Sequence, residues 1–267
     1  MSAAAEAATR LLGRHVAETR RLTGGDLSQV FRVLFQDGGA MIAKQGATAI
    51  AEAAMLRAIS ASGAPAPNVH AAEGEWLLME EVAHDGAVHA AWPDLARALG
   101  LLHRVRETRY GWPADHCFGP VRIENDWAET WPSFWAERRL RCHLPHLPVT
   151  LGRRIERLAE RLGELLPDRP DAALLHGDLW SGNILVADGK VRALIDPACY
   201  HGHREVDLAM LSLFDRPPPS FFGALAPEPG WRERQPIYRL WPLLVHLRLF
   251  DRCCAESVAG ALSEAGF

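Results

Sequence analysis

The chain lacks a long apolar run, a basic tract and a regular set of cysteines. Nowhere in its 267 residues do roughly 18 uncharged apolar residues follow one another, so no membrane-spanning helix is predicted. The 33 acidic and 29 basic side chains leave a formal charge of -4, which supplies no electrostatic footprint for DNA or RNA. The first ten residues lack the basic start and apolar core of a signal peptide. We therefore expect a cytoplasmic protein whose partners include neither nucleic acid nor a membrane.

The cysteines and histidines give no pattern of a disulfide framework or a metal site. Five cysteines form an odd set without paired spacing, and reduced thiols are expected: Cys117, Cys142, Cys199, Cys253 and Cys254. The close histidine pairs have no cysteine or carboxylate at ligand spacing, so we expect them to be structural or exposed. With 48% hydrophobic and 23% charged residues, the composition is that of a globular protein with one large domain or two lobes.

Residues 1–82 predict a small β-rich lobe. Apolar and β-branched residues at 28–35 and 40–44 flank a turn at 37–39, which is typical of a β-hairpin, here ending on Lys44. A helical spacing of apolar residues follows at 49–59, and a buried strand is predicted at 76–79. The polar residues after this strand mark the boundary to a second lobe.

Residues 83–267 predict a larger, mainly helical lobe. Helices are expected over 93–105, 127–140, 151–166, 236–249 and 255–262, with short strands at 173–175, 184–186 and 191–195. Trp127, Trp131 and Trp135 recur every four residues, which predicts one helix with an aromatic core face.

A polar loop between two of these strands carries the chemistry. It reads HGDLWSGN over residues 176–183, and Asp196 ends the next strand. Phosphoryl transfer from ATP uses one carboxylate to accept a proton, and a second carboxylate with an amide oxygen to hold Mg²⁺. Asp178 and Asn183 keep the spacing of the protein-kinase loop H-R-D-x-x-x-x-N. The intervening hairpin is predicted to bring Asp196 back beside Asn183.

The β-rich lobe supplies further parts of the same pattern. Lys44 stands where a lysine reaches the α- and β-phosphates, and Glu52 lies one turn into the next helix, where it pairs with that lysine. The segment at 24–28 is not G-x-G-x-x-G, so phosphate binding there depends on fewer glycines and on the Ser28 hydroxyl. Each of these residues alone is an ordinary turn or surface residue, but their order together predicts a kinase site.

The same segments resemble the fructosamine kinases, also called ketosamine-3-kinases, which are related to aminoglycoside phosphotransferases and choline kinases. The resemblance covers nearly the full chain and is carried by HGDLWSGN at 176–183, IDPACYHGHREVDLAM at 195–210 and NDWAETWPSFWAERRL at 125–140. Trp180 distinguishes this family from the aminoglycoside group. The second segment usually reads DPAVYYGHREADLAM in the family, so Cys199 and His201 are departures expected to alter the pocket rim.

This resemblance implies an α+β, two-lobed protein-kinase-like fold with a small β-rich N-lobe and a larger mainly α-helical C-lobe. It implies transfer of the γ-phosphate of ATP, with Mg²⁺, to a sugar hydroxyl of a ketosamine, expected to be O3 of a ribulosamine or fructosamine adduct of lysine. The substrate is then a small molecule or a glycated protein lysine, and the reaction is a deglycation step because the 3-phosphate decomposes. A monomer is expected.

Roles follow from the resemblance residue by residue. It assigns the catalytic base to Asp178, magnesium binding to Asn183 and Asp196, and nucleotide binding to Lys44, Glu52, Ser28 and a hinge from Glu80 to Val82.

The substrate side is less defined by the pattern. His201 is expected near the pocket, and Trp180 either stacks on a sugar ring or wedges the loop against the helical lobe. The charged residues at 203–207, Asp207 among them, are expected to cap the next helix or to hold the loop in place.

Two other functions fit the same residues. A kinase for another amino alcohol or an aminoglycoside would have the same ATP-binding residues. A nucleotide-binding pseudokinase is favoured by the incomplete glycine segment, whereas the intact set of Lys44, Glu52, Asp178, Asn183 and Asp196 argues against it.

Overall fold

The computed structural model describes residues 2–22, 28–250 and 254–267. Its strands are β1 (Val16–Arg21), β2 (Gln29–Phe35), β3 (Ala40–Gln45), β4 (Val69–Glu73), β5 (Trp76–Glu80), β6 (Arg106–Glu107), β7 (His116–Phe118), β8 (Val121–Ile123), β9 (Ala172–Leu175), β10 (Ile184–Ala187), β11 (Lys190–Leu194) and β12 (Tyr200–His203). Its α-helices are α1 (Ala3–Leu12), α2 (Ala49–Ala61), α3 (Trp92–Leu102), α4 (Trp131–Trp135), α5 (Val149–Leu165), α6 (Glu205–Phe214), α7 (Pro219–Leu225), α8 (Trp231–Phe250) and α9 (Ala255–Glu264).

The first five strands form one antiparallel sheet in the order β1-β2-β3-β5-β4. Helix α1 packs on one face, where Ala8 joins a buried cluster with Ala43 and Leu78. Helix α2 packs on the other face with Leu77. Because successive side chains of a strand point to opposite faces, Lys44 lies on the α2 face when its neighbour Ala43 lies on the α1 face.

Two sets of backbone hydrogen bonds join this sheet to the rest of the chain. The N–H groups of Asp85 and Gly86 donate to the carbonyl of Val186 at 3.0 and 2.9 Å. The N–H of Leu194 donates to the carbonyl of Pro65 at 2.9 Å. The β10–β11 hairpin is thereby fixed both to the linker after β5 and to the segment after α2.

The remaining residues form a helical body around an aromatic core. Its largest fully buried side chains include Trp131, Trp135, Tyr238 and Trp241. A three-stranded sheet of order β12-β9-β6 and the separate β7–β8 hairpin lie within this body. The β-sheet N-terminal part and the helical C-terminal part confirm the predicted α+β fold class.

One predicted helix starts too early. The helix expected over 127–140 begins at Trp131, and an extended segment precedes it, in which Ala128 pairs with Tyr110. Pro132 stands in the first turn, where its fixed φ favours a helix start. Trp127 therefore lies outside the helix, and its ring stacks on His201 with centroids 6.2 Å apart. The four-residue tryptophan spacing was a misleading signal, since backbone pairing overrides it at Trp127.

The described ranges contain no helix with the length and apolar character needed to cross a membrane. Cys117, Cys142 and Cys199 are free thiols, as expected.

His143 gives the helical body a predictable acid sensitivity. Its side chain is fully buried, and burial, with the charges of Arg248, Arg139 and protonated His146, lowers its pKa to about 3. An unfolded histidine titrates near 6.5, so between about pH 6.5 and 3 the unfolded chain binds more protons than the folded one. The free energy of unfolding should therefore fall as the pH is lowered through this window. We expect His143→Gln to flatten the slope by up to about 1.4 kcal/mol per pH unit.

Urea unfolding at about pH 7 and about pH 5 measures this slope. His70→Gln, at an exposed position of β4, is the matched control and should leave the slope unchanged. An unaltered slope in the His143 variant would contradict the prediction.

Candidate functional site

Lys44 connects the sheet to the helical body at the centre of the site. Its Nζ donates to Glu52 Oε1 at 2.9 Å and to Asp196 Oδ1 at 2.7 Å. Strand β3 supplies the lysine, the first turn of α2 supplies Glu52, and Asp196 follows β11 shortly after its end. Lys44 is 8% exposed and Glu52 is 3% exposed. Three side chains predicted from separate parts of the sequence therefore meet in one buried cluster.

The charges of this cluster hold the lysine in its cationic form. Burial opposes the protonation of Lys44, but the carboxylates of Glu52 and Asp196 together raise its pKa above the usual value. Burial raises the pKa of Glu52 to about 7, against the effect of Lys44. Lys44 consequently carries a positive charge at neutral pH.

Asp178 and Asn183 are hydrogen bonded to each other within the HGDLWSGN loop. Asn183 Nδ2 donates to the Asp178 carbonyl at 2.8 Å and to Asp178 Oδ2 at 3.0 Å. The amide nitrogen is thus engaged, and the amide oxygen of Asn183 is left for another partner. Burial raises the pKa of Asp178 to about 7, although the bond from Asn183 lowers it. A carboxyl group with a pKa near neutrality is suited to proton transfer.

The β10–β11 hairpin returns Asp196 beside Asn183, as its sequence predicts. Ile184 and Leu194 are partners in the hairpin, and the N–H of Ile195 donates to the Asn183 carbonyl at 3.0 Å. Asp196 has φ 52°, in the left-handed region that residues other than glycine rarely occupy. Backbone conformations of this kind are concentrated at functional sites.

Asp207 fixes the start of the loop from helix α6. Its Oδ2 accepts from the His176 N–H at 3.0 Å and from His103 Nε2 at 2.9 Å, and its Oδ1 accepts from the Gly177 N–H at 3.0 Å. Burial alone would raise the pKa of Asp207, but the bond from His103 and the surrounding donors hold it below its usual value. The role expected for Asp207 was structural, and these bonds define it as an ionised anchor for the loop.

Gly177 is required at its position by a close backbone approach. It has φ 81°, and a Cβ there would lie 2.0 Å from the carbonyl oxygen of Ala198. The Ala198 N–H donates to the His176 carbonyl at 2.9 Å, and His176 Nε2 donates to the Ile195 carbonyl at 3.0 Å. The loop that carries Asp178 is therefore packed directly on the segment that carries Asp196.

The two residues expected on the substrate side lie in different surroundings. Trp180 is 40% exposed, and its ring packs against Gly182 and lies 6.3 Å from the ring of Phe214. His201 is 7% exposed on β12, where it stacks on Trp112 and Trp127 at 5.7 and 6.2 Å. Its hydrogen bonds and ring contacts within the described residues do not include Lys44, Glu52, Asp178, Asn183 or Asp196.

Two cavities border the linker between the sheet and the helical body. One of about 440 Å³ is lined by residues 86–89, Trp92, residues 180–182, Ile184, Asp215 and Arg216. The other, of about 580 Å³, is lined by Ala66, residues 80–85, Ala187, Asp188 and Arg192. Lys44, Asp178 and Asp196 line neither of them, so the second cavity borders the predicted hinge without reaching the central cluster.

The remaining nucleotide-side predictions concern the hinge and the glycine segment. Glu80 accepts from Asn68 Nδ2 at 2.8 Å, Arg32 donates to Glu81 at 2.5 Å, and the Val82 carbonyl bonds to its neighbouring His84. Most of the glycine segment, 24–27, lies outside the described residues. Ser28 is described and lies close to Gly46, shortly beyond Lys44.

The sequence pattern gave no signal for His116. This residue opens β7, is 8% exposed, and lies near enough to Lys44 and Asp196 for both charges to act on its pKa. It stands in an irregular stretch without a motif, so its proximity to the cluster is visible only in three dimensions. The described residues hold no group of three or more His, Cys, Asp and Glu side chains placed to bind a metal.

The fold and the site define the chain as a protein-kinase-like phosphotransferase. Among solved structures, a thermostable mutant of an aminoglycoside phosphotransferase, in complex with AMP-PNP and hygromycin B, matches with a TM-score of 0.67 over 100% of this chain and 97% of that chain. At 16% sequence identity, this likeness shows the shared fold alone.

The model of the fructosamine kinase family matches residues 1–264. The chain belongs to the fructosamine kinase family, as its motifs predicted, and it is therefore a kinase whose acceptor group is a hydroxyl.

Individual relatives agree with the family match. A probable ketoamine kinase of Synechocystis is 31% identical over 252 residues, which cover 88% of this chain and 85% of the relative. A crystal structure described as a fructosamine-3-kinase from Thermobifida fusca is 31% identical and has a TM-score of 0.91, covering 98% of each chain.

Proposed function

We propose that the protein transfers the γ-phosphate of ATP to the O3 hydroxyl of a ketosamine, such as a ribulosamine or fructosamine adduct of lysine, and so initiates deglycation. The family supports the class of acceptor. The observation that carries the proposal is the convergence of Lys44, Glu52 and Asp196 on one side and Asp178 and Asn183 on the other. A cation, a proton acceptor and two oxygen ligands are the parts that phosphoryl transfer to an alcohol requires.

Lys44, Asn183 and Asp196 hold the triphosphate in this proposal. Lys44 binds phosphate oxygens and is oriented by Glu52. Mg²⁺ usually takes one or two protein carboxylates together with phosphate oxygens and water. Asp196 and the amide oxygen of Asn183 are a fitting donor set, because Asn183 Nδ2 is already engaged with Asp178. When bound, Mg²⁺ neutralises charge on the phosphates.

Asp178 moves the proton. Its carboxylate accepts the proton of the sugar hydroxyl while the hydroxyl oxygen bonds to the γ-phosphorus and the bond from that phosphorus to the β–γ bridging oxygen breaks, releasing ADP. The donation from Asn183 Nδ2 to Asp178 Oδ2 at 3.0 Å orients the carboxylate for this step. The raised pKa of Asp178, about 7, makes the carboxylate a stronger base than an exposed aspartate.

The cavity beside Trp180 is proposed to bind the acceptor. It begins next to Asp178 in the chain and combines two indole rings, Trp180 and Trp92, with the carboxylate of Asp215. Aromatic faces suit the apolar face of a sugar, and a carboxylate suits the protonated amine of a ketosamine. Asp215 Oδ2 also accepts from the Ser181 N–H at 2.9 Å, which links this cavity to the loop. The position of His201 at the pocket rim stays a prediction.

The proposal includes the division of labour along the chain. Residues 1–82 form the ATP-binding lobe, with adenine at the hinge from Glu80 to Val82 and Ser28 near the phosphates, and residues 83–267 form the lobe that binds the acceptor. The protein acts as a monomer in the cytoplasm.

An acceptor panel tests the function. ADP release with Mg-ATP is measured for ribulose-lysine, fructose-lysine, a glycated protein, an aminoglycoside and an amino alcohol, and NMR locates the phosphate on the product. Preferred turnover of a ketosamine with phosphate on O3 supports the proposal. Turnover of the aminoglycoside or amino alcohol alone would replace it, and nucleotide binding without transfer to any acceptor would identify a pseudokinase.

Lys44→Ala should weaken Mg-ATP binding by about 10-fold to 100-fold, the range of a charge-assisted hydrogen bond. The fold should tolerate the change because burial already raises the pKa of Glu52 to about 7, so this carboxyl takes up a proton when its partner is lost. Titration calorimetry measures the affinity. Lys190→Ala removes the only other lysine, which is exposed on β11, and should leave the affinity unchanged. Equal affinities in the two variants would remove Lys44 from the nucleotide site.

A further inference from the structure

The β7–β8 hairpin brings a side chain of the helical body to the central cluster. His116 is the first residue of β7 and is paired in register with Ile123 of β8. Its ring meets the ring of Phe118 edge to face, with centroids 5.3 Å apart. Both contacts lie within the hairpin, so the position of His116 depends on how the hairpin itself is held.

Hydrogen bonds hold the base of this hairpin in one place. Asp115 Oδ1 accepts from the Asn125 N–H at 3.0 Å, and Asp115 Oδ2 accepts from Arg122 at 2.6 Å. Asn125 Nδ2 donates to the Ala114 carbonyl at 3.1 Å. Because the residues on both sides of the hairpin are bonded to each other, His116 is presented on a fixed frame.

The imidazole of His116 is buried without a partner. The side chain is 8% exposed, its Nδ1 is buried and unbonded, and no described residue forms a hydrogen bond with either ring nitrogen. Leaving a buried polar group unpaired costs about 1 to 3 kcal/mol, so such groups usually have an explanation such as a ligand. Here the nearby charges are Lys44 and Asp196, the two groups assigned above to the triphosphate.

The charge state of His116 limits what it binds. Burial lowers its pKa to about 4, the charge of Lys44 acts in the same direction and that of Asp196 opposes it. At neutral pH the ring is uncharged and carries one N–H donor. A neutral donor is suited to a phosphate oxygen, whose negative charge strengthens the hydrogen bond.

We propose that His116 is a phosphate-binding residue, which donates a hydrogen bond from its imidazole N–H to an oxygen of the γ-phosphate of ATP, opposite Lys44. This inference rests on the proposed function of the site. It supplies a donor from the helical body at a site where the glycine segment before β2 contains fewer glycines than G-x-G-x-x-G. The γ-phosphate is favoured over the acceptor because the charges nearest to His116 are the lysine and the metal-binding carboxylate.

The test compares nucleotides with and without the third phosphate. Affinities for Mg-AMP-PNP and Mg-ADP are measured by titration calorimetry for the wild type, His116→Leu and His116→Asn, with Tm as a check of folding. His116→Leu should weaken AMP-PNP binding by about 10-fold or more while leaving ADP binding unchanged. His116→Asn keeps an N–H donor of similar reach and should restore AMP-PNP binding to within about threefold of the wild type.

Three results would overturn the inference alone: an unchanged affinity of the leucine variant for AMP-PNP, equal losses for AMP-PNP and ADP, or an asparagine variant as weak as the leucine variant. Equal losses would mean that His116 only supports the fold. A wild-type protein that binds neither nucleotide would overturn the proposed function and this inference with it.

Discussion

Replacing Asp178 with asparagine should lower turnover by about 10²-fold to 10⁴-fold, the usual contribution of general-base catalysis. The substitution removes the proton acceptor and little else. The side-chain oxygen of asparagine can still accept from Asn183 Nδ2, which lies 3.0 Å from Asp178 Oδ2. Lys44, Glu52 and Asp196 keep their contacts, so the affinity for Mg-ATP should stay close to that of the wild type.

Steady-state ADP release and a separate nucleotide titration distinguish these two effects. Asp171→Asn is the matched control, because Asp171 is exposed and pairs only with the exposed Arg106. Its turnover should equal that of the wild type. Unchanged turnover in the Asp178 variant would remove this residue from the role of base, and a parallel loss of ATP affinity would assign it to nucleotide binding instead.

Replacing Asp207 with asparagine should destabilise the protein by about 3 to 5 kcal/mol, as expected when one partner of a buried charged network is lost. Asp207 accepts three hydrogen bonds, from His103 and from the backbone of His176 and Gly177, and is fully buried. An asparagine places an N–H₂ group against these donors, so at least one donor stays unpaired. For a chain of this size the change corresponds to a fall in Tm of at least about 6 °C.

Turnover should fall as well, because His176 and Gly177 position Asp178. Calorimetric Tm and the rate of ADP release are measured together below the Tm of the variant. Asp168→Asn, at an exposed position with a distant arginine partner at 3.7 Å, is the control and should preserve both. A variant of Asp207 that retains the Tm and turnover of the wild type would show that the loop is held by its other contacts.

Much of the site was predictable because its parts are local patterns. The step from Asp178 to Asn183 spans one 3₁₀ turn, and the following hairpin has turn residues that set its register, so Asp196 could be placed beside Asn183. Lys44 followed from a hairpin in the same way. In each case the residues that specify the geometry are near neighbours in the sequence.

Other features carried no local signal. The alanine-rich α1 and the polar strand β1 were not predicted, since α1 becomes a core element only when Ala8 packs on the sheet. The tryptophan spacing suggested a helix through Trp127, yet Ala128 pairs with Tyr110 and keeps that stretch extended. Long-range pairing overrides local propensity in such segments.

The sequence by itself determined which chemical groups the protein has for phosphoryl transfer and the short elements that carry them. The tertiary structure decided which groups act on one another: Lys44 and Asp196 are 152 positions apart and lie within hydrogen-bond distance. It also selected Asp207 as an anchor, brought His116 to the cluster, and raised the pKa of Asp178 through burial. The physical reason is that periodicity and turn chemistry depend on adjacent residues, whereas burial and charge proximity depend on how distant segments pack.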